Sequence, residues 1–392
     1  MSRLDERLSP SSYLLIIDAL DECDNGDHIR TILQLLAKAR SLTTVRLRIF
    51  LTSRPEIPIR HEIRAIPQAE HQDFILHNIQ PTIVDYDISL FLEYNLGILR
   101  QEWTLGAGWP GEQVLRQLVT YASGLFIWAA TACRFICDGK RFARKRLDTI
   151  LKGSSSSTIT APEKHLNEIY LTVLKHSISS EYSDEEKQEM YEMLKHTLGS
   201  IVVLLLPLSA SLLSRLLHLP KEEVDQTFED LHAILDIPED PTYPVRLHHP
   251  SLRDFLFNKD RCGDFWVDEK EAHQILATRC IQLMFQTLKK DICEIHAPGS
   301  QASQVESSWI EKCLPPEVQY ACLYWVQHLQ RSGSQVHDGE ETHRFLQDHL
   351  LHWLEALGWM GKTSEGIQAI LALETHVSVS YLSIIYKRLT CA

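Results

Sequence analysis

Apolar residues run without interruption from Tyr13 to Ile17 and stop at Asp18, with Asp21 and Glu22 three and four positions further on. A run this short and continuous predicts a strand covered on both faces. Its acids then lie at the strand's carboxyl end, where open α/β sheets bind ligands. A second run, Leu47-Arg48-Ile49-Phe50-Leu51, passes into Thr52-Ser53-Arg54-Pro55-Glu56. Arg46 and Arg48 alternate with Val45, Leu47 and Ile49, which predicts a strand with one less-covered face. Between the two runs, Ile29, Ile32, Leu33, Leu35, Leu36 and Ala39 recur at helical spacing. The order is strand, helix, strand, with both polar strand ends side by side. Asp24 to Asp27 is expected as a turn in which Asp27 caps the helix. Pro55 and Pro58 are expected to end regular structure, and Ile63 to Ile66 to form another short strand.

Those residue types suit phosphate chemistry. Asp18 is placed to hold a metal or a metal-bound water, and Asp21 or Glu22 to orient a water for attack on a phosphate. The plainer alternative is a buried strand that ends in a solvated acidic turn.

Downstream the apolar spacing is mostly helical. Ile88, Phe91, Leu92 and Leu96 mark one helix within Ile83 to Arg100, and another begins at Val114 to Val119 and resumes through Leu125 to Ile136. Gly153 to Thr158, mostly serine, reads as a linker. From Pro162, apolar Leu166, Ile169, Tyr170, Val173 and Leu174 share a face, and Ser183-Asp184-Glu185-Glu186 is a capping box. Ile201 to Leu206 is intensely apolar but is broken by Pro207, so it reads as core rather than as a membrane span. Ile234 to Ile237 and Val245 to Leu247 are expected to pair as a small wing. The stretch from Pro162 to Phe257 therefore reads as a winged helix. Helices follow over Ala272 to Leu288, Tyr320 to Leu329 and Phe345 to Met360, with no repeat pattern.

The 392 residues allow two or three domains, and the formal net charge is −13. That charge argues against non-specific binding to nucleic acid or anionic membrane. The helix expected to read DNA in a winged helix, Glu222 to His232, carries Glu222, Glu223, Asp225, Glu229 and Asp230, which repel phosphate. Lys140 to Lys152 is locally basic and is read as a solvated helix face. Nine cysteines without C-x-x-C pairing, and no signal-like start, predict reduced thiols in a cytoplasmic protein. Cys133 and Cys137 read as core thiols rather than a metal pair.

The segments Leu14 to Cys23 and Leu51 to Glu56 resemble the Walker B and sensor 1 segments of NACHT domains, the STAND-class nucleoside triphosphatases, and fungal ones related to NOD-like receptors above all. By that resemblance Asp18 matches the magnesium-coordinating acid, Asp21 and Glu22 the paired hydrolytic acids, and Arg54 the arginine that senses the γ-phosphate. Gly124-Leu125-Phe126-Ile127-Trp128-Ala129 is similar to a phrase of the family's small helical domain. Val245 to Leu256 is similar to its closing winged-helix motif, in which His249 matches the histidine that touches the β-phosphate of ADP. His248 departs from that motif, where an apolar residue is usual. The resemblance implies an α/β remnant of a P-loop NTPase sheet followed by mostly α-helical domains including a winged helix. Its divisions are a partial nucleotide-binding core over 1–66, a small helical domain over 67–152, a winged helix over 162–257 and a C-terminal helical domain over 258–392.

The family's phosphate loop, G-x-x-x-x-G-K-[ST], precedes the acid-bearing strand, and Met1 to Ser12 contain no glycine. Gly361-Lys362-Thr363 is no substitute, because Ala356 stands where the first glycine belongs and the preceding spacing is helical. The chain as it stands is thus expected to be a signalling or scaffold module without independent ATP hydrolysis and without a bound cofactor. Mg-ATP or ADP is expected if a phosphate loop is restored, and the alternative reading is then a nucleotide-dependent incompatibility or innate-immunity switch. Related fungal proteins continue into repeat sensors, and none is visible before Ala392. Protein partners, with homo-oligomers in a complete protein, are expected; nucleic acid and membrane are not.

Overall fold

The computed structural model describes residues 11–23, 26–39, 45–54, 57–67, 71–153, 162–179, 181–297, 299–335, 337 and 340–374. Met1 to Pro10, the turn residues Asp24 and Asn25, Pro55, and nearly all of the serine-rich linker lie outside the described residues. The chain divides into two compact units, residues 1–80 and 81–392.

In the first unit, β1 (Ser11–Ile17) and β2 (Val45–Leu51) pair in parallel, with Tyr13 opposite Leu47 and Ile17 opposite Leu51. The connection is α1 (Gly26–Ala39), and α2 (Ile57–Arg64) follows β2. Ile29 and Leu33 of α1 meet Leu20 and Ile59 in a small core, against which Ile17, Leu51 and Ile63 pack. Only the carboxyl ends of the strands reach it.

The structure corrects several expectations here. β1 is not covered on both faces: Leu14 and Ile16 are 65% and 64% exposed, and Phe50 of β2 is 59% exposed. These three share one face of the sheet, which nothing among the described residues covers, and on the other face only Ile17 and Leu51 pack against the core. Ile63 to Ile66 is not a strand. Ile59 and Ile63 lie four apart on α2 and turn towards the core together, a helical spacing that a four-residue window hides. Pro58 does not end regular structure but falls in the first turn of α2, where a helix has no use for its missing N–H. Asp27 is not a cap; it lies inside α1 and pairs with Arg30 at 3.0 Å.

The second unit is helical. It holds α3 (Pro81–Glu102), α4 (Glu112–Ala122), α5 (Phe126–Asp138) and α6 (Ala143–Gly153), then α7 (Pro162–His176), α8 (Asp184–Val203), α9 (Ala210–Leu217) and α10 (Lys221–Glu229). The expected pairing near residues 235 and 247 forms. β3 (Leu235–Asp236) is antiparallel to β4 (Arg246–Leu247). Next come α11 (Ser251–Leu256), α12 (Lys259–Cys262), α13 (Glu269–Thr287), α14 (Ser307–Cys313), α15 (Pro316–Ser332), α16 (Glu341–Trp359) and α17 (Thr363–Glu374). One continuous apolar core runs from Ile88 to Leu373. The helix expected to resume through Leu125 is instead two helices, because Ser123 and Gly124 both take positive φ. Ser183 caps α8, and its hydroxyl and the Glu186 carboxylate each accept the other's amide. Leu206, expected as core, is 49% exposed beyond the end of α8, whereas Ile201 to Val203 are buried. Among the described residues no helix is long and apolar enough to cross a membrane.

The basic stretch after α5 is partly structural. Arg146 donates to the Phe135 carbonyl at 2.8 Å and lies 4.9 Å from that ring, and Arg144 donates to the Leu105 carbonyl. Cys133 is buried and Cys137 half-buried. Burial raises both thiols, that of Cys137 to about 11, which suits core packing rather than reactivity.

A polar chain crosses the core between α13 and α15. The His328 ring lies 2.8 Å from that of His273 and 2.7 Å from the Tyr320 hydroxyl, which accepts the Leu205 amide at 3.2 Å. Burial, then His273 and Arg331, push the His328 imidazole down to about 3. Above the ordinary value of 6.5 both folded and unfolded states are neutral there, and this contribution to stability is complete. Below it the unfolded chain takes up a proton that the folded chain refuses, so stability falls progressively towards pH 3. The urea midpoint is expected to drop between pH 7 and pH 5, and to drop less in His328→Gln; an equal drop in both would remove His328 as the cause. The small first-unit core carries a second expectation. Amides of residues 13–51 should exchange with solvent faster than those of residues 162–257, and equal protection would contradict it.

Candidate functional site

The two strands of a parallel pair have no hairpin to align their ends, and here Thr52 aligns them. Its amide donates to the Ile17 carbonyl at 2.9 Å, and its carbonyl accepts the Leu20 amide at 3.0 Å. Its hydroxyl accepts the Ala19 amide at 2.8 Å and donates to the Asp18 carboxylate. Ala19, between these contacts, has a φ of 49°, a left-handed turn that costs a non-glycine residue about 1–2 kcal/mol. The bonds to Thr52 offset that cost. Leu20 then swings into the small core, and a single turn of 3₁₀ helix over Leu20–Glu22 points its acids away from it.

Asp18, Asp21 and Arg54 are thereby brought together at the carboxyl ends of β1 and β2. Asp21 accepts the Arg54 amide at 2.8 Å, and its other oxygen lies 3.5 Å from the Arg54 guanidinium. The Asp21 side chain is 9% exposed and that of Arg54 45%. Glu22 is exposed on the same turn. The two adjacent acids therefore have different surroundings. Asp21 ties the turn after β1 to the segment after β2, while Glu22 projects into solvent. The sequence pattern missed Thr52; the only sign of it was a hydroxyl residue directly after the second apolar run.

Metal chemistry can be tested against this donor set. Among the described residues no three His, Cys, Asp or Glu side chains converge as a metal site. Magnesium that arrives with a nucleotide needs only one or two carboxylates, with phosphate and water completing its octahedron. Exposed Asp18 fits that role, and a metal cage built by protein alone does not fit.

His249 belongs to the second unit, just before α11. Its Nδ1 lies 2.7 Å from the Ser251 hydroxyl and accepts the Ser251 amide at 3.1 Å. The Ser251 hydroxyl also lies 2.8 Å from that of Tyr170, which is buried on α7. His248, the departure from the expected motif, has a structural use: its Nε2 lies 3.0 Å from the His232 carbonyl, across the β3–β4 pair. Gly361-Lys362-Thr363 follows a helix rather than a strand, and Lys362 pairs with Glu365 at 2.8 Å.

Comparison with known proteins adds a distant relationship. The family model described as nephrocystin 3, N-terminal, matches residues 2–54, the segment that holds β1, β2 and the acid-arginine cluster. The vegetative incompatibility protein HET-E-1 of Podospora anserina is 26% identical over 390 residues, covering 92% of this chain and 26% of that protein. The chain thus spans about a quarter of the length of the curated relative it matches. The similarity is to a fungal protein of the STAND/NACHT type, and it extends over both units.

The unequal surroundings of the two acids give a direct test. Asp21→Ala should lower the opening free energy of residues 13–51, measured by hydrogen exchange, by about 0.5–1.5 kcal/mol, because it removes the acceptor that ties the Arg54 amide to the turn after β1. Glu22→Ala, at an exposed position, should change it by less than about 0.5 kcal/mol. Equal effects would mean that the Asp21–Arg54 contact does not hold the strand ends.

Proposed function

We propose that this chain is a regulatory module of a STAND-class, NACHT-type protein, with signalling or scaffolding as its output and no ATP hydrolysis of its own. The observation that carries the reading is the junction of Asp18, Asp21, Glu22 and Arg54 at the carboxyl ends of adjacent parallel strands. Similarity to an incompatibility protein along nearly the whole chain supports it. In this reading residues 162–257 form a regulatory winged helix, and His249 is its nucleotide contact.

The roles follow from the geometry. Bound magnesium would neutralise phosphate charge, and Asp18, held by the Thr52 hydroxyl, would be its protein ligand. Exposed Glu22 is the acid that can orient a water. Asp21 is occupied by Arg54 and acts as a brace. Arg54 offers a guanidinium that is partly exposed and already oriented by Asp21, suited to a phosphate oxygen. None of these residues supplies the backbone cradle and lysine that hold β- and γ-phosphates. The chain contains no G-x-x-x-x-G-K-[ST] segment that would do so. Protein is the partner class its chemistry favours: a net charge of −13 repels nucleic acid, and the bare sheet face of Leu14, Ile16 and Phe50 suits a protein surface.

Calorimetry of the 392-residue chain with Mg-ATP or ADP should show no one-to-one binding in the micromolar range; such binding would overturn the non-hydrolytic reading. Joined behind a segment with a phosphate loop, the protein should bind and turn over ATP. Glu22→Gln should then slow single-turnover hydrolysis about 10²-fold or more while leaving binding intact. Asp18→Asn should weaken magnesium-dependent binding itself. If both behave like the parent, the likeness is one of fold only.

A further inference from the structure

The connection from α13 to α14 carries a turn that three sets of hydrogen bonds hold in place. The Glu294 amide donates to the Asp291 carbonyl at 2.8 Å and closes the turn around Ile292 and Cys293. The two oxygens of the Glu355 carboxylate, on α16, accept the Asp291 and Ile292 amides at 3.2 and 3.3 Å. The Asp291 carboxylate in turn accepts the Ile295 and His296 amides, each at 3.0 Å. Asp291 and Glu294 both take a φ of 53°, which non-glycine residues keep only where the surroundings hold them. Cys293 lies between them and is fully buried.

Helix α14 comes back onto this turn. Trp309 Nε1 donates to the Cys293 carbonyl at 2.9 Å. Cys313 stands four positions beyond Trp309 on α14, and therefore on the same face. The bond that brings Trp309 to Cys293 thus brings Cys313 with it, and the two thiols are within hydrogen-bonding reach of each other. Both are free, and they differ in access: Cys313 is half-buried, whereas solvent does not reach Cys293. Burial first, and then Cys313, push the Cys293 thiol up to about 12, so near neutral pH it stays protonated and inert to an oxidant arriving from solvent. The other neighbouring thiols lack this combination. Cys280 and Cys322 are both buried, so no oxidant reaches either. Cys133 and Cys137 are one turn apart on α5, a spacing of about 5–6 Å between Cβ atoms where a disulfide needs about 3.5–4.5 Å.

We propose that Cys293 and Cys313 are a redox pair, which hydrogen peroxide converts into a disulfide that clamps the turn onto α14. The Cys313 sulfur, its proton released to solvent, attacks one peroxide oxygen. The O–O bond breaks, hydroxide leaves and takes up that proton as water, and Cys313 becomes a sulfenic acid. The Cys293 sulfur then attacks the Cys313 sulfur. The S–S bond forms, the S–O bond breaks, and the Cys293 proton leaves with the oxygen as a second water. Two thiols lose two electrons and one peroxide gains them. A thiol reductant reverses the change. The pair requires no nucleotide, so it stands or falls apart from the function proposed above.

The reduced 392-residue chain, treated with a small excess of hydrogen peroxide at neutral pH, is alkylated, digested without reductant and mapped by mass spectrometry. The linked peptides should be those of Cys293 and Cys313, they should appear before any product at the other cysteines, and dithiothreitol should separate them. Cys293→Ala should leave Cys313 as a sulfenic acid that dimedone captures. Cys313→Ala should slow oxidation of Cys293 about tenfold or more. Amides of residues 291–296 and 309–314 should exchange with solvent about tenfold more slowly in the oxidised chain than in the reduced one. A parent in which Cys293 and Cys313 stay unlinked, or link to other cysteines first, overturns the pair. Oxidation of Cys293 at the parent's rate in Cys313→Ala overturns the order of the two steps. A linked pair with unchanged exchange overturns the clamp.

Discussion

The first unit depends on one residue that joins two strands with no hairpin between them. Parallel neighbours are held in register by their ladder and by whatever closes their ends. Thr52 closes the carboxyl end with its amide, its carbonyl and its hydroxyl at once. The left-handed turn at Ala19 exists because those bonds hold it, and Leu20 reaches the core because the turn is there. The acids on the next two residues inherit their positions from that turn. Asp21 meets Arg54 and Glu22 faces solvent as consequences of a backbone path that a threonine sets.

The same junction explains why two adjacent acids, identical in a hydropathy plot, divide their work. A carboxylate that is 9% exposed and bonded to an amide and a guanidinium is committed to structure. Its neighbour, exposed on the next residue, keeps its charge available. Arg54 gains from the arrangement, because a guanidinium held by a carboxylate has already lost the rotamer freedom that binding would otherwise cost it.

The second unit solves a different problem. A helical assembly this long buries polar groups where side chains of neighbouring helices meet, and leaving one unpaired is costly. Between α13 and α15 the solution is a chain through His273, His328 and Tyr320 to the Leu205 amide. Around α7 and α11 it is the chain through Tyr170, Ser251 and His249. The first is buried and holds its imidazole neutral. The second ends at the half-buried ring of His249.

The sequence by itself determined the elements and their order. Uninterrupted apolar runs ending in acids and in arginine marked β1 and β2, helical spacing marked most of the helices, and Ser183 with Glu186 announced its capping box, because each of these is a local pattern. It also pointed to Asp18, Arg54 and His249 as residues to watch. It misplaced α2, whose apolar residues lie four apart, and it clothed β1 on both faces, because apolar composition says what a strand would bury and not whether anything is there to bury it. Only the tertiary structure decided that Thr52 holds Asp18, that Asp21 braces Arg54 while Glu22 does not, and that Tyr170 reaches His249 through Ser251. Those facts join residues 33, 34 or 81 positions apart, and no spacing along a chain records which hydrogen-bond donors will meet which acceptors once it folds.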